Sequence, residues 1–347
     1  MSWIVAETTG SALLVASVWV LNLLPWLGLP FYGLLGDRWP RRRIVRMADG
    51  SLIALTLATA ALTFGGHLPP ALALVWTACY ATLAAIARPA VKGIIREVSS
   101  QAANLVARMT SLEYVVLGLG QILAAVVLLQ GNPAAAFAVV ALLLGLALLA
   151  LGRTGAAEPR TAPAPLWGPV LAEMAQLRRL IATTIVCGAC TFTVRALAPL
   201  LALRNLHTGV LGFAALGAAY SLGAALGASR FHGRSALRWL PAAVGVLVAG
   251  TTGSAAWAIA AFAAIGVAAG SQDALNSGRV AAELPGGAQS RGMAVMSLVW
   301  RVPGLLAGAI AGYAGLSPRV LVVLAGLTGM AALWAGLSTG SAASASG

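Results

Sequence analysis

Apolar runs of about 20 residues recur along almost the whole chain, and short segments between them hold nearly all of its charge. A run of that length crosses the ~30 Å hydrocarbon core of a bilayer as a helix. Hydrophobic residues make up 60% of the 347 and charged residues only 9%, with a mean hydropathy of +0.90. A soluble domain of this size has no such shortage of polar surface. A membrane β-barrel needs segments of ~10 residues with alternating polarity, and the sequence has none. The pattern predicts an all-α, polytopic membrane protein with about eleven spans, at 11–35, 44–66, 70–90, 106–129, 133–152, 180–203, 209–229, 237–252, 254–275, 292–313 and 318–338.

The cations sort by side. Segments 36–46, 88–108, 153–179, 230–238 and 276–291 hold 18 of the 22 Lys and Arg. The alternate loops hold only Arg204 and Arg319, while Arg195 and Arg301 fall inside spans. Short loops rich in Lys and Arg stay in the cytoplasm. This asymmetry predicts residues 36–46 and the C-terminus inside a cell (cytoplasmic) membrane. The formal charge of +13 therefore reads as a topology signal, and no nucleic acid is expected.

Residues 1–152 read as an N-terminal bundle of about five spans and 180–338 as a C-terminal bundle of six. Residues 339–347 form a small, uncharged tail expected to be disordered. Between the bundles, 153–179 begins as a Pro/Ala-rich linker. It continues with Trp167, Val170, Leu171, Met174 and Leu177 at helical spacing, an amphipathic helix suited to the membrane surface. A six-plus-six pseudo-repeat lacking its first helix gives this count, with MSWIVAETTG as the last turns of the missing one. No cleavable signal peptide is expected.

Catalysis is not expected. His67, His207 and His232 are scattered without metal-ligand spacing, and no nucleophile-elbow or paired-carboxylate pattern occurs. Cys187 and Cys190 form a C-x-x-C inside an apolar segment with no second pair nearby, and read as small packing residues. No cofactor and no metal is expected. The absence of a Walker A pattern leaves an ion gradient as the energy source for any active process.

Between the first two spans lies GLLGDRWPRRR, residues 33–43. Gly33 and Gly36 permit close helix approach. A carboxylate such as Asp37 can accept from the free N–H groups at a neighbouring helix N-terminus. This segment resembles the loop between helices two and three of the major facilitator superfamily, with pattern Gly-x-x-x-Asp-Arg-x-Gly-Arg-Arg. Gly33, Asp37, Arg38, Arg41 and Arg42 match it, and Pro40 stands where the pattern has Gly. TTGS (8–11), Pro25, Asp49 and RPA (88–90) resemble a bacterial efflux-type branch.

The resemblance implies a two-bundle fold and a gating latch in which Asp37 meets the start of the span at 292. The alternative is an anchor that holds the loop at the headgroups. In the second half, GASRFHGRSALR (227–238) has Ser229 where an Asp is needed.

An ionisable group in hydrocarbon costs ~2.5–3.5 kcal/mol or more and marks a site or a structural pair. Arg301, the deepest cation, is a candidate for contact with an anionic substrate or a buried counter-ion. Glu113 is a candidate for proton coupling or for an interhelical hydrogen bond. Asp49 is a second proton-coupling candidate, although Arg46 can pair with it, as Arg279 can with Asp273. Arg195 is expected to snorkel outward beside Arg204, without substrate contact. The Gly304, Gly308 and Gly312 series predicts tight helix contact, with Gly217, Gly223 and Gly227 a less regular surface.

The function expected is secondary active transport by alternating access: proton-coupled export, or antiport, of a small organic molecule by a monomer embedded in membrane lipid. A non-transporting truncated relative or membrane scaffold is the alternative. A channel is a third option without a visible filter.

Overall fold

The computed structural model describes residues 1–29, 31–32, 39–64, 69–98, 102–130, 132–152, 177–230, 239–283 and 289–314. Gly33, Asp37 and Arg38, the amphipathic helix expected before Leu177, the last span at 318–338 and the tail at 339–347 lie outside the described residues. The described residues form α1 (Ser2–Thr9), α2 (Ala12–Leu23), α3 (Arg41–Leu62), α4 (Pro70–Val98), α5 (Ala102–Leu128) and α6 (Pro133–Gly152). After the linker come α7 (Arg178–Leu200), α8 (Gly209–Arg230), α9 (Trp239–Thr251), α10 (Ala255–Glu283) and α11 (Gln289–Ala314).

Local chemistry explains the joints. Gly10, at φ 60°, ends α1 in the left-handed region, and its N–H donates to the Ala6 carbonyl at 2.9 Å. Ser11 then caps α2, its hydroxyl accepting from the Leu14 N–H at 3.3 Å. Pro25 removes a backbone donor, and there α2 tightens into a 3₁₀ turn, Leu24–Gly28. Pro199 does the same near the end of α7, which continues as a widened π-type turn, Leu201–Asn205.

Seven helices among the described residues are long and apolar enough to cross a membrane, and the protein is a multi-pass membrane protein. Ala12–Gly28 and Ala294–Leu306 are shorter apolar stretches. The described helices fall on ten of the eleven expected spans, and two of them run longer than expected. α4 runs to Val98 and α10 to Glu283, each eight residues past its expected edge. Hydropathy reports where the apolar section stops, whereas the backbone ladder continues through charged residues that are themselves good helix formers.

Burial separates the helices further. Of the apolar section of α7, 78% is buried, against 11% for α5. α7 is therefore central, and α5 turns Leu112, Leu119, Leu123 and Val126 outward along one face, where lipid replaces water as solvent.

The most extensive packing joins α8 to α10, then α7 to α11. The α2–α11 and α5–α8 contacts bring the helices before the linker against those after it. At the α8–α10 crossing the close approach is reciprocal. A Cβ on Gly223 or Gly227 would strike the carbonyl oxygens of Ala263 or Val267, and one on Gly266 or Gly270 those of Tyr220 or Ala224. Small residues four apart on both helices permit this backbone contact. At the α7–α11 crossing, Gly188 lies against the Trp300 carbonyl and Gly304 against the Phe192 ring.

A buried polar network ties α7 to α10. Gln272 Nε2 donates to Thr184 Oγ1 at 3.1 Å and to Asn276 Oδ1 at 2.9 Å, and Thr184 Oγ1 lies 3.0 Å from Asn276 Oδ1. Thr184, Gln272 and Asn276 are all buried. Replacing Thr184 by Val keeps the shape and removes the hydroxyl. The expected loss is about 1 kcal/mol. It should read as a fall of roughly 2–4 °C in the apparent melting temperature of the purified protein.

Candidate functional site

A cavity of about 390 Å³ lies where the two sets of helices meet. Trp19 and Asn22 of α2 and Trp26 of the turn after it form one wall, with Arg88 of α4 and Glu113 and Tyr114 of α5 beside them. Phe192 and Arg195 of α7, Tyr220 of α8, Asp273, Asn276 and Ser277 of α10, and Trp300 and Arg301 of α11 complete it. Arg301 stands twelve residues into α11. At 1.5 Å per residue that is about 18 Å from the helix start, near the middle of the hydrocarbon.

Every charged group in the cavity is held by an aromatic ring or a partner. The Arg301 guanidinium sits 3.7 Å from the centre of the Trp26 ring, and that of Arg88 lies 5.6 Å from the same ring. Arg195 lies 5.2 Å from the Trp19 ring and 4.9 Å from the Tyr220 ring. A guanidinium over an aromatic face keeps its charge without full hydration, because the ring quadrupole replaces part of the lost water. Arg88 Nη2 pairs with Glu113 Oε2 at 3.1 Å, joining α4 to α5. The Tyr114 hydroxyl donates to Asp273 Oδ2 at 3.3 Å, joining α5 to α10.

Among the described residues, no carboxylate lies within ion-pair distance of Arg195 or Arg301. Arg301 Nε is buried with no hydrogen-bond partner among them, and so is Trp19 Nε1. With three guanidinium groups and two carboxylates, the lining carries a formal charge of +1.

Of the residues singled out from the sequence, Arg301 and Glu113 line this cavity together, with Glu113 in the interhelical pair just described. Asp49 sits in α3 and is not among the lining residues. Arg41 and Arg42 begin α3, away from the cavity lining.

One expectation is corrected by the geometry, and two are refined. Arg195 does not snorkel outward but faces the cavity between Trp19 and Tyr220. Arg88, expected where the span at 70–90 meets the segment 88–108, lies inside α4, ten residues before its end. Asp273, expected near the end of its span where Arg279 can pair with it, also accepts from Tyr114 at the cavity wall. Counting along a span gives depth, whereas helical phase decides direction. The aromatics were detectable by composition, since Trp is rare and three of the ten line one cavity.

No family model and no curated protein sequence matches the chain. Its fold is shared with solved structures. A crystal structure of the nucleoside transporter NupG superposes with a TM-score of 0.61 at 12% identity, over 96% of this chain and 91% of that one. A point mutant of the same transporter gives 0.60 at 12% identity, over 96% and 92%. The likeness establishes a major-facilitator-like, two-bundle helical fold, as the loop at 33–43 led us to expect.

Proposed function

We propose that this protein is a secondary active transporter that moves a small organic molecule across a cell membrane by alternating access, exporting it in exchange for protons. The single observation that carries this reading is the charged, aromatic cavity at the junction of the two helix sets. A lone buried arginine has a structural explanation. A chamber lined by three arginines, two acids and six aromatic rings is costly to keep in a membrane unless something occupies it. The shared fold supports the same reading. Residues 1–152 and 180–338 act as the two moving bundles, with 36–46 on the cytoplasmic side as the charge distribution suggests.

Glu113 is the coupling group in this scheme. Protonating it releases Arg88, which removes an α4–α5 tie and alters the cavity charge at one stroke. The gating role stays with Gly33, Asp37, Arg38, Arg41 and Arg42, and Asp49 remains a second proton site to compare.

To test this, a diverse panel of small organic compounds is screened for thermal stabilisation of the purified protein, and the best stabiliser is radiolabelled. In proteoliposomes with an imposed pH gradient, the wild type should accumulate it against its own gradient. Glu113→Gln should lose that accumulation about tenfold or more while still exchanging labelled for unlabelled compound. Full proton-driven accumulation in Glu113→Gln would remove Glu113 from the coupling role, and no flux in the wild type would support the scaffold alternative.

A further inference from the structure

The geometry points to the class of molecule that the cavity accepts: a planar aromatic compound carrying one negative charge, held between Arg195 and Arg301. This inference rests on the transporter reading for its physiological meaning, but not for its binding chemistry.

The charge argument comes first. Of the three cavity arginines, Arg88 has Glu113 at 3.1 Å. Arg195 and Arg301 have rings beside them and no carboxylate within ion-pair distance among the described residues. Asp273 is the remaining acid, occupied in part by the Tyr114 hydroxyl. The lining thus lacks one negative charge, and a buried cation without its counter-charge is the costliest element in such a wall. A monoanionic guest supplies that charge; a dianion overshoots it and a cation doubles the deficit.

Donor geometry comes second. The Arg301 Cζ lies 3.7 Å from the centre of the Trp26 ring, too close for a guest to enter between them, so a guest meets the donors on the guanidinium's remaining sides, and Nε is buried without a partner among the described residues. A carboxylate or similar planar oxyanion accepts from a guanidinium edge in a two-pronged fashion.

The shape of the guest comes third. Trp19, Trp300 and Phe192 add ring surfaces to the wall, with Phe192 and Trp300 edge to face at 6.4 Å. Flat rings stack on such surfaces with little loss of conformational entropy. A volume of about 390 Å³ holds a two-ring frame with a few waters.

The test uses one frame in three charge states: 2-naphthoate, neutral 2-naphthamide and cationic 2-naphthamidine, each binding to purified full-length protein by equilibrium dialysis. Naphthoate should bind at least tenfold more tightly than the amide, and the amidine most weakly. Arg195→Gln and Arg301→Gln should each lower naphthoate affinity about tenfold or more and leave the amide within about twofold. Arg301→Lys, which keeps the charge but not the planar edge, should fall in between.

Equal binding of all three compounds, or none of any, overturns the proposal on the wild type alone, whatever the fate of the variants. Unchanged naphthoate affinity in both Gln variants also overturns it. The two readings separate by flux in proteoliposomes. Naphthoate that binds but does not cross supports the anion site and counts against transport. Flux of the amide or amidine in preference to naphthoate supports transport and overturns the anion site.

Discussion

Trp26→Ala is expected to reduce transport at least tenfold and to destabilise the protein by about 3 kcal/mol. Two arginines share that one ring: Arg301 at 3.7 Å and Arg88 at 5.6 Å. Removing it opens a void beside Leu29 and Ala85, with which Trp26 forms a buried cluster, and strips both guanidinium groups of the ring they share. Arg301 then loses its ring and, among the described residues, has no carboxylate within ion-pair distance, so its side chain must swing toward water or draw water in. Trp26→Phe keeps a ring face of lower quadrupole strength and should lose only a fewfold. The measurements are initial flux in proteoliposomes and the melting temperature in detergent. A Trp26→Ala protein with wild-type flux would mean that the wall takes no part in the site.

Gly266→Leu and Gly270→Leu should each leave little folded protein. A Cβ at either position would lie inside the contact distance of a carbonyl oxygen on α8, Tyr220 or Ala224, and backbone cannot step aside as a flexible side chain can. The helices must separate, and overpacking costs of ~1–3 kcal/mol become the lower end of the range when a whole crossing is lost. Gly278 provides the internal control, because a Cβ there meets nothing within 4 Å. Gly278→Ala should be neutral or slightly stabilising, since Gly in a helix costs ~0.5–1 kcal/mol relative to Ala. The fraction of monodisperse protein on size exclusion, with the melting temperature of what survives, reads both results. A well-folded Gly266→Leu would show that α8 and α10 do not touch as described.

The sequence disclosed the positions of the spans because lipid imposes a single local rule: about 20 apolar residues cross. It disclosed the family resemblance through one loop whose charges cannot sit elsewhere. It did not disclose the cavity. Arg88, Glu113, Arg195, Asp273 and Arg301 come from five different helices, so what unites them is helix order and rotation, neither of which is local.

Arg301 was found because it is deep enough to be anomalous wherever its helix points. Arg195 gives no such signal, because a position seventeen residues from the start of α7 reads equally well as an outer-leaflet one. The glycines show the same division. The four-residue spacing of Gly223 with Gly227, and of Gly266 with Gly270, is visible in the chain, yet which glycine pair faces which helix is a fact of the fold.

The α8–α10 crossing has a consequence for motion. Two helices in backbone contact through small residues on both sides have no side-chain cushion that can repack as they slide, so they must travel as one rigid block. The Tyr114–Asp273 and Ser111–Ala225 bonds tie α5 to that pair across the junction, so both must break if the helices before and after the linker move apart. The contact of α2 and the turn after it with α11 is different in kind: it is padded by larger groups, and there Trp26 and Arg301 face one another. In the proposed transporter, the residues that enclose a guest are thus the ones at the seam best able to repack.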